Sequence, residues 1–454
     1  MLIRYLGTEK QGVYAYIITT VSLFGFIADL GINNFLIRET KISGENASVL
    51  FGNAIVVQAI QIIVAVCCVN IYAVFFEHDI VTRHNLMIAS LAFAVNFAAQ
   101  PYIGVINSYE KMHVSALAIS IASVLNAFFI FAAVLMKMQI TGIIIMIGMA
   151  NMANYFISRY LCTKEAVKPR FVIDGKVIKW MFKMSVPFAL IGVFNYVYTR
   201  LDVLILYKLT NPEQAGYYTA VTKILDILIA IVASIALPLY PRISYLMNNV
   251  SKDKAMETMR IFSKYMAAFT APFVLAVSMF AGDYTEILFG REYLKSSFVL
   301  SVLVWNVFLL SITIALGYIV NAARLTQIVA CIYCFNMVLS IVLNIILVPR
   351  YSYFATTLIN FMCVFLAFCG ILVITNVKVG SSGLKQYMPK VIVSMAAEFA
   401  AVMLLTNRVH FLLASIIGIF VYLTAIILTG YFVHNEVDII KDAIFIKRHE
   451  EKYG

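Results

Sequence analysis

The sequence predicts an all-α protein that crosses a membrane many times, on three observations. Apolar residues make up 62% of the 454 positions and charged residues only 13%, whereas a soluble chain carries about 25% charged residues. Mean hydropathy is +0.91. The apolar runs are also long and continuous, where an outer-membrane barrel would alternate in strands of roughly ten residues. With only 9 prolines and 21 glycines, the chain does not read as low-complexity.

A helix needs about 20 apolar residues to cross a bilayer, and thirteen runs meet that length. They lie near 12–37, 48–76, 84–107, 114–136, 139–161, 182–207, 213–241, 261–281, 296–321, 325–348, 352–374, 388–406 and 410–432. The first carries Asp29 well inside its second half, then Asn33, Asn34 and Arg38 where it leaves the membrane. A carboxylate at that depth is costly and faces a partner or a watery cavity rather than lipid. Most connections are short, as between antiparallel neighbours. Two are longer and basic, TKEAVKPRFVIDGKVIKWMFK and NNVSKDKAMETMRIFSK.

Basic residues set the orientation. If the first span exits to the cytoplasm at Arg38, 22 of the 34 Lys and Arg fall on the cytoplasmic side and 9 on the other. Arg159, Arg200 and Lys223 sit within spans. The C-terminus is then cytoplasmic. The opening MLIRYLG reads as the end of a preceding helix, so a fourteen-span design with one helix upstream is expected. No cleavable signal peptide precedes the first span.

Internal repetition agrees with that design. LGTEKQGVYAY (Leu6 to Tyr16) is similar to LTNPEQAGYYTA (Leu209 to Ala220), and VINSYEKM (Val105 to Met112) matches IVNAARLT (Ile319 to Thr326), at offsets of roughly 204 and 214 residues. Matching segments share orientation, which predicts parallel repeats about an axis along the membrane normal. The expected domains are an N-lobe over 1–163, a basic cytoplasmic linker over 164–181 and a C-lobe over 182–376. Two additional helices over 377–432 and a cytoplasmic tail over 433–454 follow. The tail, EVDIIKDAIFIKRHEEKYG, is expected to form an amphipathic helix on the membrane surface.

Several chemistries find no support. The seven cysteines lie nearly all in apolar runs, where they act as small hydrophobes. Cys331 and Cys334 form a CxxC with no second pair beside it, so no metal or redox site is expected. The six histidines are dispersed, no catalytic constellation assembles, and no enzyme activity is expected. The nucleotide-binding pattern GxxxxGK[ST] is absent.

The segments RYLGTEKQGVYAY and FIADLGINNFLIRE resemble the opening of polysaccharide-biosynthesis flippases of the Wzx type, in the multidrug/oligosaccharidyl-lipid/polysaccharide exporter superfamily. FKMSVPFALIGVFNYVYTRLDVLIL, NPEQAGYYTAVTKILDIL, LPLYPRISYL and REYLKSSFVLSVL extend the resemblance over nearly the whole chain. Against that pattern the N-lobe holds helices 2–6, the C-lobe helices 7–12, and the additional pair is 13–14. The resemblance implies transfer of a polyprenyl-diphosphate-linked oligosaccharide across the cytoplasmic membrane by alternating access. It implies no cofactor beyond a coupling ion, H+ or Na+. Membrane lipid and polysaccharide polymerase machinery are the implied partners, and nucleic acid is not one.

Such a substrate needs cations for its phosphates, and arginine supplies a planar fork of donors. Arg200 and Asp202, with Lys223 and Asp226 three residues apart on one helix face, are the leading candidates for the substrate and ion pathway. Asp29 and Arg38 are their counterparts in the first lobe. Arg38 alternatively anchors the membrane edge, and the four charges around 200–226 alternatively neutralise one another. Glu398 is placed in an additional helix, pairing between helices or bordering a lipid-tail groove. Arg324 reads as a topology signal. Tyr14, Tyr16, Tyr196, Tyr198, Tyr217 and Tyr218 gather near the external mouth, with an interfacial belt the favoured reading over sugar stacking. The alternative function is a drug or small-molecule antiporter of the same superfamily.

Overall fold

The computed structural model describes residues 1–406 and 408–432 and, within them, all side chains but those of Arg38, Glu45, Met184 and residues 186–200. The expected tail helix lies outside the described residues. Every regular element described is a helix, as continuous apolar runs demand when backbone groups must be satisfied inside lipid.

In chain order the helices are α1 (Leu2–Asp29), α2 (Ile32–Glu39), α3 (Ala47–Phe76), α4 (Ile80–Ser108), α5 (Met112–Leu135), α6 (Ile140–Glu165) and α7 (Gly175–Leu209). These are followed by α8 (Pro212–Ala236), α9 (Leu239–Tyr245), α10 (Lys252–Met279), α11 (Ala281–Phe289), α12 (Ser297–Ala322), α13 (Thr326–Ile374), α14 (Leu384–Leu405) and α15 (Phe411–Leu428). Among the described residues, eleven helical segments are long and apolar enough to cross a membrane.

One of the eleven is two crossings. A continuous α13 of 49 residues would run about 73 Å, far beyond the ~30 Å hydrocarbon core. Asn336 Nδ2 nevertheless donates to the Cys363 carbonyl at 3.2 Å, and Gly370 lies against Ile332. The helix therefore folds back on itself at Ser352 (φ 52, ψ −137), just past Pro349. Its two arms, 326–351 and 353–374, are the tenth and eleventh expected spans. The sixth expected span falls on α7, where the side chains of residues 186–200 lie outside the described set.

The chain divides into two compact units, Met1–Gly216 and Tyr217–Gly454. In the first, α4 packs on α3 and α6, while α7 lies along α1 and α2. Apolar transfer gives lipid-facing helices no reason to associate, so close packing of small residues does the work. Ala54, Ala89, Ala99 and Ala133 are accordingly fully buried. At one end Phe35, Phe51 and Tyr102 form a core, with Phe51 and Tyr102 edge-on at 5.3 Å. In the second unit α12 packs on α10 and α13, and α14 pairs with α15.

The expected repetition is visible as geometry. After α4, Glu110 takes φ 61, its N–H bonds the Asn107 carbonyl at 3.0 Å, and Lys111 N–H reaches back to Ile106 at 3.3 Å. After α12, Arg324 takes φ 61, bonds Asn321 at 3.0 Å, and Leu325 N–H reaches Val320 at 3.1 Å. Both are left-handed helix ends whose backward bonds satisfy orphan carbonyls. The first repeated segment also meets the second directly. A Cβ on Gly12 would sit 1.7 Å from the Pro212 carbonyl oxygen, and one on Gly216 would sit 1.9 Å from that of Thr8. Only glycine permits this reciprocal contact of α1 with the first turn of α8.

Candidate translocation site

Asp29 lies at a break in the first span. Leu30 (φ 37) and Gly31 (φ 79) turn left-handed, so α1 stops and α2 restarts in place of the single helix over 12–37 that hydropathy predicts. Asp29 Oδ1 accepts the Asn33 N–H at 3.2 Å, satisfying a donor that the new helix leaves orphaned. The interrupted end of α1 is satisfied in turn, because Gln58 donates its side-chain N–H to the Ala28 carbonyl. Asn33 fits only because residue 104 is glycine, where a Cβ would stand 2.3 Å from Asn33 Oδ1. One turn beyond Gln58, Gln61 is buried with neither amide atom partnered. The acid is thus a capping residue within a seam of carboxamides. The Arg38 side chain lies outside the described residues.

A second polar cluster ties the end of α3 to α1, α4 and α7. Glu77, whose side chain is 8% exposed, accepts from Lys208 Nζ at 2.7 Å and from the Tyr16 hydroxyl at 2.8 Å. Lys208 Nζ also donates to the Phe76 carbonyl at 3.0 Å, and Arg83 donates twice to the Glu77 carbonyl at 3.2 and 2.9 Å. Tyr16 stacks flat on Tyr207 with centroids 3.9 Å apart. At the head of α4, Asp79 accepts from the Thr82 N–H and hydroxyl at 2.9 and 2.6 Å. Those two bonds hold its carboxyl below the usual aspartate range. Sequence reasoning missed Glu77 and Lys208, which sit at helix ends and carry no motif.

A third polar region lies at mid-helix in the first unit. Asn96 of α4 donates to Asn151 of α6 at 3.2 Å, and Asn151 donates to the Ala92 carbonyl at 2.9 Å. Beside this bridge, α4, α5 and α6 line an open cavity of about 300 Å³ whose lining includes Gln100, Asn126 and Asn154. The signal in the sequence was a set of carboxamides inside three consecutive apolar spans.

Of the charges expected around 200–226, Asp202 belongs to the first unit and Lys223 and Asp226 to the second. Asp202 Oδ1 accepts from the Val203 N–H at 2.8 Å, and the Arg200 side chain lies outside the described residues. Lys223 and Asp226 approach to 4.0 Å across one helical turn, both about half exposed. Glu398 of α14 is fully buried with neither carboxyl oxygen hydrogen-bonded. It lies against Gly418 of α15, and the buried Tyr422 hydroxyl is likewise unpartnered. Arg324 occupies the turn after α12. Tyr16, Tyr217 and Tyr218 are buried and Tyr14 is half-buried; Tyr196 and Tyr198 lie outside the described side chains. All seven cysteines are free thiols. Among the described residues no three His, Cys, Asp or Glu side chains gather as a metal site would require.

The model of the polysaccharide biosynthesis protein family matches residues 1–247, more than half of the chain. The protein belongs to that family. It is 21% identical over 375 residues to a protein described as an O-antigen transporter of Shigella flexneri, covering 77% of this chain and 86% of the other. A shorter match, 22% over 188 residues, relates it to a protein described as a low-salt glycan biosynthesis flippase of Haloferax volcanii, covering 41% and 38% of the two chains. Among solved structures, the inward closed form of the lipid II flippase MurJ superposes with a TM-score of 0.74 at 15% identity, over 94% of this chain and 96% of that one. A mutant of the Vibrio cholerae MATE transporter VcmN gives 0.53 at 14% identity, over 82% and 90%. These two likenesses establish the all-helical transporter fold.

Proposed function

We propose that this member of the polysaccharide biosynthesis family is a flippase for a polyprenyl-diphosphate-linked oligosaccharide, the repeat unit of a cell-surface polysaccharide. The observation that carries the reading is the family match over residues 1–247, which covers the whole first unit and its polar interior. The two relatives named for O-antigen transport and glycan flipping support a glycan over a drug as cargo. Buried carboxamides at mid-helix suit a hydrophilic head group that must cross hydrocarbon. The protein is a transporter, not an enzyme.

In this proposal the membrane is the cytoplasmic one, and the basic residues orient the C-terminus to the cytoplasm. Arg200 and Lys223 bind the diphosphate, while Asp202, Asp226 and Asp29 are the carboxylates available to a coupling H+ or Na+. Arg38 meets lipid headgroups at the membrane edge, and a polysaccharide polymerase receives the product. The lobes, bounded at 163 and 182, alternate access.

Expression of the chain in a bacterial strain lacking its O-antigen flippase tests the reading. Restored surface polysaccharide is expected, abolished by Arg200→Ala at unchanged expression and by a protonophore or sodium ionophore according to the coupling ion. Efflux of a cationic dye without restored polysaccharide would move the assignment to the antiporter branch.

A further inference from the structure

We infer that the cavity between α4, α5 and α6 is a subsite for neutral sugar hydroxyls of the transported glycan, with Gln100 and Asn126 as its recognition residues. The inference rests on the proposed function and adds the chemistry and place of one contact.

The cavity carries polar groups without charge among the described residues. Among those residues its lining holds five carboxamides, one hydroxyl and four apolar residues, and no acid or base. A phosphate site would present arginine or lysine, and a hard cation would gather carboxylates. Neither is there. A carboxamide offers donors and an acceptor together, and a hydroxyl is both donor and acceptor, so carboxamides match vicinal hydroxyls of either orientation. Ile103, Ala122 and Ala150 supply apolar wall for the C–H face of a ring.

The polar groups divide into those that hold the site and those that are free to use it. Asn151 is engaged at both amide atoms, accepting from Asn96 and donating to Ala92, and Asn154 accepts from the Ser158 hydroxyl at 3.2 Å. Gln100 and Asn126 line the same space and make no hydrogen bond with any described residue. The cavity's size, about 300 Å³, meets the lower end of ligand pockets. Water would satisfy both amides until a sugar replaced it, at little cost because hydroxyls restore the same bonds. Asn126 and Asn154 lie near the middle of their helices, and Gln100 lies two turns from the end of α4.

The test uses purified full-length protein in nanodiscs and two ligands. One is the lipid-linked repeat unit extracted from the complemented strain, and the other is the same polyprenyl diphosphate stripped of sugar. Gln100→Leu and Asn126→Leu should each weaken binding of the glycan-bearing lipid about tenfold, as one lost contact does, and leave the sugar-free lipid within twofold. Asn126→Ala, which adds no volume, repeats the measurement should leucine disturb the fold. Unchanged glycan affinity in these variants, or an equal loss for both lipids, overturns the subsite while the flippase reading stands. A wild-type protein that binds neither lipid overturns both.

Discussion

The trio α4–α5–α6 and its counterpart, α12 with the two arms of α13, share the left-handed turn between their first two helices and are placed on different terms. Both carry an asparagine bridge from first helix to third, Asn96 to Asn151 at 3.2 Å and Asn306 to Asn360 at 2.9 Å. They part at the middle helix. Asn126 of α5 faces a cavity of about 300 Å³, whereas Asn336 is 1% exposed and donates to the Cys363 carbonyl at 3.2 Å. The Cys363 thiol answers by donating to the Asn336 carbonyl at 3.7 Å. A duplicated scaffold has therefore kept its first turn and its bridge while one copy closed around its amide and the other left space. Polar groups inside lipid are costly unless used, so the open copy is where function is sought.

Breaking the strongest tie in the first unit should produce the largest effect. In Lys208→Ala the buried Glu77 carboxylate loses its cation and keeps only the Tyr16 hydroxyl. The expected loss is about 3 kcal/mol, the low end for an orphaned buried charge, since Lys208 is 29% exposed. The chain has two tryptophans, one per unit: Trp180, edge-on to Phe35 at 5.0 Å, and Trp305, bonded to Ser278 at 3.2 Å. Unfolding followed by fluorescence in single-tryptophan variants should shift for Trp180 alone. Equal shifts for both would show that the units unfold as one.

The middle helices offer a sharper contrast. Asn336→Ala should cost about 1 kcal/mol, in the range measured for interhelical hydrogen bonds in lipid. Asn126→Ala removes no hydrogen bond to a described residue and should change unfolding by less than about 0.5 kcal/mol, the range of surface substitutions. Chemical denaturation of the two variants compares them directly, and an equal cost would erase the distinction between open and closed trios.

What the sequence made legible follows from what hydropathy can carry. Length and continuity of apolar runs located the helices, and the repeated GVYAY and GYYTA segments pointed to the copies that now meet at Gly12 and Gly216. Hydropathy averages over a window, so it ran through Leu30–Gly31, where two positive φ angles break the first span. The cap that Asp29 makes could not be read, because its partner, the Asn33 N–H, is freed only once that break is made. Glu77 and Lys208 are 131 residues apart and become a pair only through packing. The carboxamides at 96, 100, 126, 151 and 154 were visible as letters, but their convergence depends on helix rotation, which apolar periodicity leaves loose when lipid covers the outer face.

The helix heads differ as well, with a smaller expected effect. α4 is capped by Asp79, while α12 begins after Ser296, whose hydroxyl donates to the Tyr217 carbonyl at 2.9 Å. Asp79→Ala should cost about 0.5 kcal/mol, the lower bound for a lost cap, and Asp79→Asn nearly nothing. The sign with pH follows from the lowered carboxyl: its contribution is full above the ordinary aspartate value of about 3.9 and is lost as pH falls through the folded value. Wild-type protein titrated downward should lose that increment of stability, and Asp79→Asn should not.

Glu398 gives the smallest expected effect and completes the contrast with Glu77. Both carboxyls are buried, but Glu77 holds Lys208 and Tyr16, and Glu398 holds nothing. Gly418 gives its side chain room, and the nearby Tyr422 hydroxyl makes no bond to it. A group with no partner contributes no bond that a substitution can remove, so Glu398→Gln, equal in volume, should change unfolding by less than about 0.5 kcal/mol or raise it. Polysaccharide export measured in the same variant then separates two roles. Full export with unchanged stability makes residue 398 a packing position of the α14–α15 pair. Lost export with unchanged stability shows that the transport cycle needs the acid itself, since nothing in the resting fold depends on it.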